Sequence, residues 1–290
     1  MIYDAAIIGT GPAGVSAALT LKANEKSMIW LGNPNFSEKV GRAERIANYP
    51  GLSLVTGREM NEAFRRQCEE LGLTVENRMV TSIASLGDHY GLMAGDTFFE
   101  AKAVILATGV AATGTLPGEQ ELVGRGVSYC ATCDGGLYRN KVIAAIASSA
   151  RFEHEVRFLA QLAETVWYFP LYKGGAEMPE NVKVMAERPV RMNQEEGRLS
   201  SLTLTGGGTL PVAGVFCLRD SVSLNVLLPE LKTENGHIAV DRNMATNLPG
   251  CFAAGDCTGR PYQYVKAAGE GNVAAHSAIA FLAETGKSKE

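Results

Sequence analysis

Tyr3-Asp4-Ala5-Ala6-Ile7-Ile8-Gly9-Thr10-Gly11-Pro12-Ala13-Gly14-Val15 reads as a short apolar strand, a glycine turn and the start of a helix. In the spacing Gly-x-Gly-x-x-Gly, the first glycine permits the tight turn and the second lets a pyrophosphate approach the backbone. The third lets helix and strand pack closely. The phosphates then meet a helix N-terminus, where free N–H groups and the helix dipole favour an anion. Gly9, Gly11, Pro12, Ala13 and Gly14 are therefore candidate dinucleotide contacts. An acidic ribose ligand is expected about 20 residues further on. Leu31-Gly32-Asn33-Pro34 stands there instead, which leaves Asn33 to hydrogen-bond a ribose hydroxyl. Alone, this glycine pattern is a weak signal.

Beyond the opening unit, strand and helix patterns alternate. Ser27–Leu31 is a second strand, Arg58–Leu71 an amphipathic helix, and Thr74–Ile83 and Phe98–Leu106 further strands. Ala111–Gly118, rich in Gly, Thr and Pro, reads as a linker. A new strand–helix–strand unit follows: Val142–Ala147, Arg151–Leu162 and Thr165–Phe169. Then come Val182–Ala186, Leu199–Leu204, a Gly206-Gly207-Gly208 turn, Val212–Leu218, Gly250–Asp256 and a closing helix Val265–Leu282. Such alternation implies an α/β fold with parallel sheets. The layout predicts two domains. One is built from residues 1–112 and 219–290, with a second, 113–218, inserted in it. The length of 290 residues agrees with about two domains at roughly 100–200 residues each.

Composition narrows the class. With 46% hydrophobic and 20% charged residues, the chain can bury a large core and is not disordered. A net charge of −4 argues against nucleic acid as a partner, because phosphate contacts need a basic surface. The longest uncharged stretches, Ala5–Leu21 and Leu199–Leu218, are interrupted by Gly, Ser, Thr or Pro, so neither reads as a membrane helix. No secretory signal is visible at Met1–Asp4, and a cytoplasmic location is expected.

Of the six cysteines, Cys68, Cys217, Cys251 and Cys257 are scattered and read as buried reduced thiols. Only Cys130 and Cys133 are close. Cys130-Ala131-Thr132-Cys133-Asp134-Gly135 has the two-residue spacing of a readily exchanged disulfide. Asp134 is placed to move a proton to or from a departing thiolate. The pair could also be half of a zinc site, but no second pair completes four ligands, with His154 and His276 standing alone. No metal is expected.

Gly9–Gly14, Ala107-Thr108-Gly109 and Gly250–Asp256 together resemble the FAD-binding segments of flavoproteins with two dinucleotide-binding domains. With Asn48-Tyr49-Pro50-Gly51, Cys130–Gly135 and Gln263-Tyr264-Val265-Lys266-Ala267-Ala268-Gly269, the chain is similar to the low-molecular-weight flavin thioredoxin reductases. The resemblance runs in the family's order from residue 3 to about residue 282. It implies an α/β fold of two dinucleotide-binding-type domains, Rossmann-like and three-layered, with FAD on the first, a redox disulfide on the inserted one, thioredoxin as acceptor and a homodimer. It also implies that the inserted domain swings between two orientations, facing the flavin and then thioredoxin. By residue matching, Ala107, Thr108, Gly109, Gly255 and Asp256 would hold FAD, with Asp256 on a sugar-alcohol hydroxyl. Asn48, Gln263, Tyr264 and Val265 would flank the isoalloxazine, Ala268 would lie near it, and Val80 would line the adenine side. Cys133 would face the flavin and Cys130 would form the mixed disulfide.

The departures from the family are informative. Its second glycine fingerprint, which binds NADPH, becomes Ile146-Ala147-Ser148-Ser149-Ala150-Arg151-Phe152-Glu153, with Ala147, Ser149 and Phe152 in the glycine places. A Cβ intrudes where pyrophosphate must touch backbone, and a phenyl ring stands where helix and strand should cross closely. The family's His-Arg-Arg cluster for the 2′-phosphate becomes Pro170-Leu171-Tyr172, which cannot neutralise a dianion. NADPH binding is therefore expected to be absent. The pattern resembles the ferredoxin-dependent flavin thioredoxin reductases, so reduced ferredoxin, or flavodoxin, is the expected donor. Lys39, Arg42 and Arg45 offer an acidic ferredoxin opposite charge, although Glu38 and Glu44 share that loop. The alternatives are a conventional NADPH-dependent thioredoxin reductase and a non-catalytic flavin redox sensor. In the FAD half, Ser37-Glu38-Lys39, Ala47 and Tyr262-Gln263 also depart from the family.

Overall fold

A computed structural model describes residues 1–109, 116–129, 131–219 and 224–287, with Gln120, Cys133, Asn225 and Lys287 described by backbone only. The chain opens with β1 (Ile2–Ile8), α1 (Pro12–Ala23) and β2 (Met28–Leu31), followed by α2 (Glu38–Gly41) and α3 (Gly57–Glu70). An antiparallel meander comes next: β3 (Val80–Ser85), β4 (Tyr90–Ala94) and β5 (Thr97–Leu106). The middle of the chain carries β6 (Val127–Ser128), α4 (Ala131–Asp134), β7 (Val142–Ala147), α5 (Glu153–Ala160), β8 (Thr165–Pro170) and β9 (Val182–Val184). Then follow β10 (Pro189–Glu195), β11 (Arg198–Leu204), β12 (Thr209–Pro211) and β13 (Gly214–Leu218). The last stretch holds α6 (Leu224–Leu227), β14 (Thr233–Glu234), β15 (His237–Ile238), β16 (Cys251–Ala253) and α7 (Tyr264–Lys287). Two compact units result: Met1–Val110 with Leu227–Glu290, and Ala111–Val226.

In the first unit, β1 pairs in parallel with β2 and with β5. Its residues Ala5 to Ile8 are all buried, as a central parallel strand requires. β5 is long enough to serve two partners: Thr97–Ala101 pairs with β4, and Val104–Leu106 with β16. α1 starts with Pro12, whose missing N–H costs nothing at a helix start. Its small residues Ala13, Gly14, Ala17 and Ala18 are buried, and α7 lies directly against it. A Cβ at Gly271 of α7 would come within 2.1 Å of the Ala13 carbonyl oxygen, so glycine is what lets these helices meet.

The second unit has a five-stranded parallel sheet, β6-β13-β7-β8-β9, and a separate antiparallel sheet, β10-β11-β12. α5 connects β7 to β8, and Phe152, Val156, Leu159 and Ala160 bury its inner face with Ile143, Ala145 and Val166. Ala131 belongs to the same buried cluster, which seats α4 against α5.

Candidate active site

The β1–α1 turn assigns each glycine a separate duty. Gly9 has φ of +114°, and a Cβ there would lie 2.2 Å from the Ala107 oxygen. At Gly14 the clash would be with the Gly9 oxygen at 2.0 Å. Both therefore serve the protein's own packing, whereas a Cβ at Gly11 would meet nothing within 4 Å. The space beside Gly11 opens at the start of α1, where no side chain caps the free N–H groups and no acidic residue stands in the first turn. Such a cradle suits an anion. Thr108 Oγ1, on the neighbouring strand end, is buried without a hydrogen-bond partner, a group that a ligand hydroxyl or phosphate would satisfy. These residues fit a dinucleotide.

Elsewhere in the first unit the structure brings together residues distant in sequence. Asn48 Nδ2 donates to Gln263 Oε1 at 2.8 Å, so two residues matched to the isoalloxazine meet each other. Gln263 also supplies the carbonyl that accepts from Ala267 N–H, placing Tyr264, Val265 and Ala268 in the first two turns of α7. Asp256 forms an ion pair with Lys39 at 2.6 Å, and the Lys39 ammonium lies 5.2 Å from the centre of the Tyr262 ring. Lys39 and Tyr262, both departures from the family pattern, thus sit in one cluster. Asn33 Oδ1 accepts from Asn35 N–H at 2.9 Å and shapes its own loop. Val80 is buried in β3, opposite Ala94.

The turn at Gly255 is held by residues to which the sequence reading gave no role. Glu270 Oε2 accepts from Gly255 N–H and from Thr258 Oγ1, each at 2.9 Å. Lys266 Nζ donates to the Gly255 and Gly259 carbonyls at 2.9 and 2.8 Å and pairs with Glu270 at 3.0 Å. The i,i+4 spacing of Lys266 and Glu270 was the available signal.

In the second unit, Cys130 lies outside the described residues, and α4 begins directly after it with Cys133 in its single turn. Asp134, at the end of that turn, accepts from Ser128 Oγ at 2.6 Å. Before the pair, Tyr129 donates its hydroxyl to the fully buried Glu119 at 2.7 Å, and Arg219 reaches the same carboxylate at 3.0 Å. No signal local to the sequence joins residues so far apart. Among the described residues no group of His, Cys, Asp and Glu is arranged to hold a metal.

The β7–α5 turn differs in kind from the β1–α1 turn. Ala150–Phe152 forms a 3₁₀ turn, and α5 starts only at Glu153. The Phe152 ring is buried in the core beneath. The α5 N-terminus carries Glu153 and Glu155 in its first turn. Glu153, itself buried, accepts from Tyr172 Oη at 2.8 Å and from Ala176 N–H at 3.2 Å. The Glu153 carboxylate thus fastens the loop after β8 to the start of α5.

The profile of the pyridine nucleotide-disulphide oxidoreductases matches residues 3–147 and 176–271. The chain belongs to that family. It is 33% identical to a thioredoxin reductase of Helicobacter pylori, over 97% of this chain and 99% of the relative. To a thioredoxin reductase of Listeria monocytogenes it is 31% identical, over 100% of this chain and 97% of the relative. Its fold matches the crystal structure of a ferredoxin-flavin thioredoxin reductase from Clostridium acetobutylicum with a TM-score of 0.94. That match has 40% identity and covers 98% of this chain and 99% of that one. The chain is thus a flavoprotein oxidoreductase of the thioredoxin reductase type, with the α/β architecture of two Rossmann-like domains. Membership of the family implies FAD, in agreement with the residues around Gly11. Among the described residues no helix is long and apolar enough to cross a membrane.

Proposed function

We propose that this thioredoxin reductase takes electrons from a one-electron protein donor, reduced ferredoxin or flavodoxin, and does not use NADPH. The observation that carries the reading is the β7–α5 turn, where Ala150–Phe152 forms a 3₁₀ turn and Glu153 latches the loop after β8. A coenzyme would find Phe152 in place of a glycine and two carboxylates, Glu153 and Glu155, in the first turn of the helix. Glu153 pairs with Arg157 at 3.7 Å, so that guanidinium is already engaged by the chain's own carboxylate, and Pro170-Leu171-Tyr172, directly after β8, carries no cation. The similarity to the clostridial ferredoxin-flavin thioredoxin reductase supports the same choice.

FAD, when bound, supplies a group that accepts electrons singly and passes them on as a pair. Gly9, Gly11, Gly14, Thr108 and Asp256 would hold it, with Asn48 and Gln263 at its redox end. Two donor molecules deliver two electrons. With two protons these break the Cys130–Cys133 bond and leave two thiols. Cys130 then attacks the thioredoxin disulfide, Cys133 displaces it from the mixed disulfide, and thioredoxin leaves as a dithiol. Asp134, held by Ser128, moves the proton at the pair. The active form is proposed to be a homodimer in the cytoplasm.

Anaerobic mixing tests this reading. Chemically reduced ferredoxin should bleach the visible flavin absorbance and then reduce thioredoxin, while NADPH and NADH leave the flavin oxidised. Rapid bleaching by micromolar NADPH would overturn the proposal in favour of conventional coenzyme use. Bleaching without thioredoxin reduction would identify a sensor.

A further inference from the structure

We infer that Lys39 is a ligand of the FAD diphosphate, holding it jointly with the start of α1 and neutralising Asp256 beside it. The inference rests on the FAD that the family implies, seated at the Gly11 turn. A Cβ at Gly255 would meet the Ala13 Cβ at 3.1 Å, so the turn that carries Asp256 lies against the first turn of α1. Lys266 and Glu270 fix that turn through the Gly255 carbonyl and the Gly255 N–H. Lys39 Nζ reaches Asp256 Oδ2 at 2.6 Å, from 217 residues away in sequence. The ammonium therefore stands next to the anion cradle, where the first turn of α1 has no side-chain cap and no charged residue of its own.

The charges present explain why a cation is needed there. A diphosphate brings negative charge to a site that already holds the Asp256 carboxylate, and like charges at close range repel. The N–H groups of a helix start supply only a partial positive charge. An ammonium donates through each of its N–H groups; Asp256 takes one, and the others remain for phosphate oxygens. The Asp256 side chain is 17% exposed and that of Lys39 60%, so the ammonium is open to an incoming ligand. Neighbouring acids are engaged by other cations: Glu38 pairs with Arg42 at 3.7 Å and Glu270 with Lys266 at 3.0 Å. The backbone of Lys39 is set in advance. Asn61 Nδ2 donates to the Ser37 carbonyl at 2.9 Å, and a Cβ at Gly57 would fall 1.7 Å from the Val40 oxygen, so α2 sits tightly on α3. The Tyr262 ring, 5.2 Å from the ammonium, is in turn hydrogen-bonded through its hydroxyl to His237 Nε2 at 2.7 Å. Lys39 departs from the family pattern, so the family's own FAD contacts do not account for it.

The test measures FAD affinity of the full-length protein by flavin fluorescence, across a range of salt concentrations. Lys39→Gln removes the charge from an exposed side chain and keeps it polar. K39Q should bind FAD about tenfold more weakly, while Lys39→Arg, which keeps the charge, should recover most of the affinity. Added salt should weaken FAD binding in the wild type and weaken it less in K39Q, because the cation that salt screens is gone. A purely structural role for Lys39 would leave that salt dependence unchanged. K39Q holding FAD as tightly as the wild type, or sharing its salt dependence, would overturn the inference, and so would K39R losing as much affinity as K39Q. A wild-type protein that binds no FAD would instead overturn the cofactor assignment on which the inference rests.

Discussion

At the scale of single residues, the three glycines of the first turn separate folding from ligand binding. Gly11 has an ordinary φ of −75° and open space for a Cβ. Gly11→Ala should leave the melting of the FAD-free protein within roughly 0.5 kcal/mol of wild type and still weaken FAD binding, measured by titration. Gly14→Ala, with its 2.0 Å clash against backbone, should lose both stability and FAD. The Glu119–Arg219 pair gives a second case. Glu119 is 0% exposed and bonded by Arg219, Tyr129 and the Leu116 N–H. Arg219→Ala strands a buried charge and should cost about 3–5 kcal/mol in urea unfolding. The glycine pattern could be read directly from the sequence because its spacing is local. Glu119 and Arg219 could not be paired from it, since only the folded sheet brings β6 and β13 together.

At the scale of elements, long periodic segments were legible and short polar ones were not. β1, β7, β8 and α3 lie within a residue or two of where apolar runs place them. The expected strand Thr74–Ile83 starts only at Val80, because Glu76 makes a lone bridge to Leu31 and Arg78 N–H turns back to the Glu76 carbonyl. β4 and β10 had no readable pattern: one has Gly91 beneath the Phe98 ring, and the other is rich in Arg, Asn and Gln. In α5, loss of the glycine fingerprint was visible, but not its replacement by the Glu153–Tyr172 latch, which depends on where the loop after β8 returns. Phe152→Ala should therefore destabilise the second unit by about 3–5 kcal/mol without creating affinity for NADPH. Thermal unfolding and a coenzyme titration of the same variant check both parts.

At the scale of the whole molecule, the scattered cysteines, expected from sequence to be buried and reduced, are buried free thiols, and this has a consequence in alkali. Burial pushes Cys68 and Cys257 up to about 11, and Cys217 and Cys251 up to about 12. In the unfolded chain such thiols ionise near their ordinary value, about 8.5. Between that pH and the folded values, the unfolded chain binds fewer protons than the folded one, so stability falls as pH rises. Below about pH 8.5 the contribution is fully present. Each thiol then removes about 1.4 kcal/mol per pH unit. Cys68, Cys251 and Cys257 lie in the first unit and Cys217 in the second, so the first should weaken about three times as steeply. The window from pH 9 to 10 lies below about pH 10, where tyrosines of the unfolded chain ionise. Above it the buried Tyr90 and Tyr129, held protonated in the fold, add to the loss. Urea unfolding under reducing conditions across that window should show the loss, and Cys251→Ala should reduce the first unit's slope by about a third. An unchanged slope in that variant would mean that the buried thiols do not control alkaline stability.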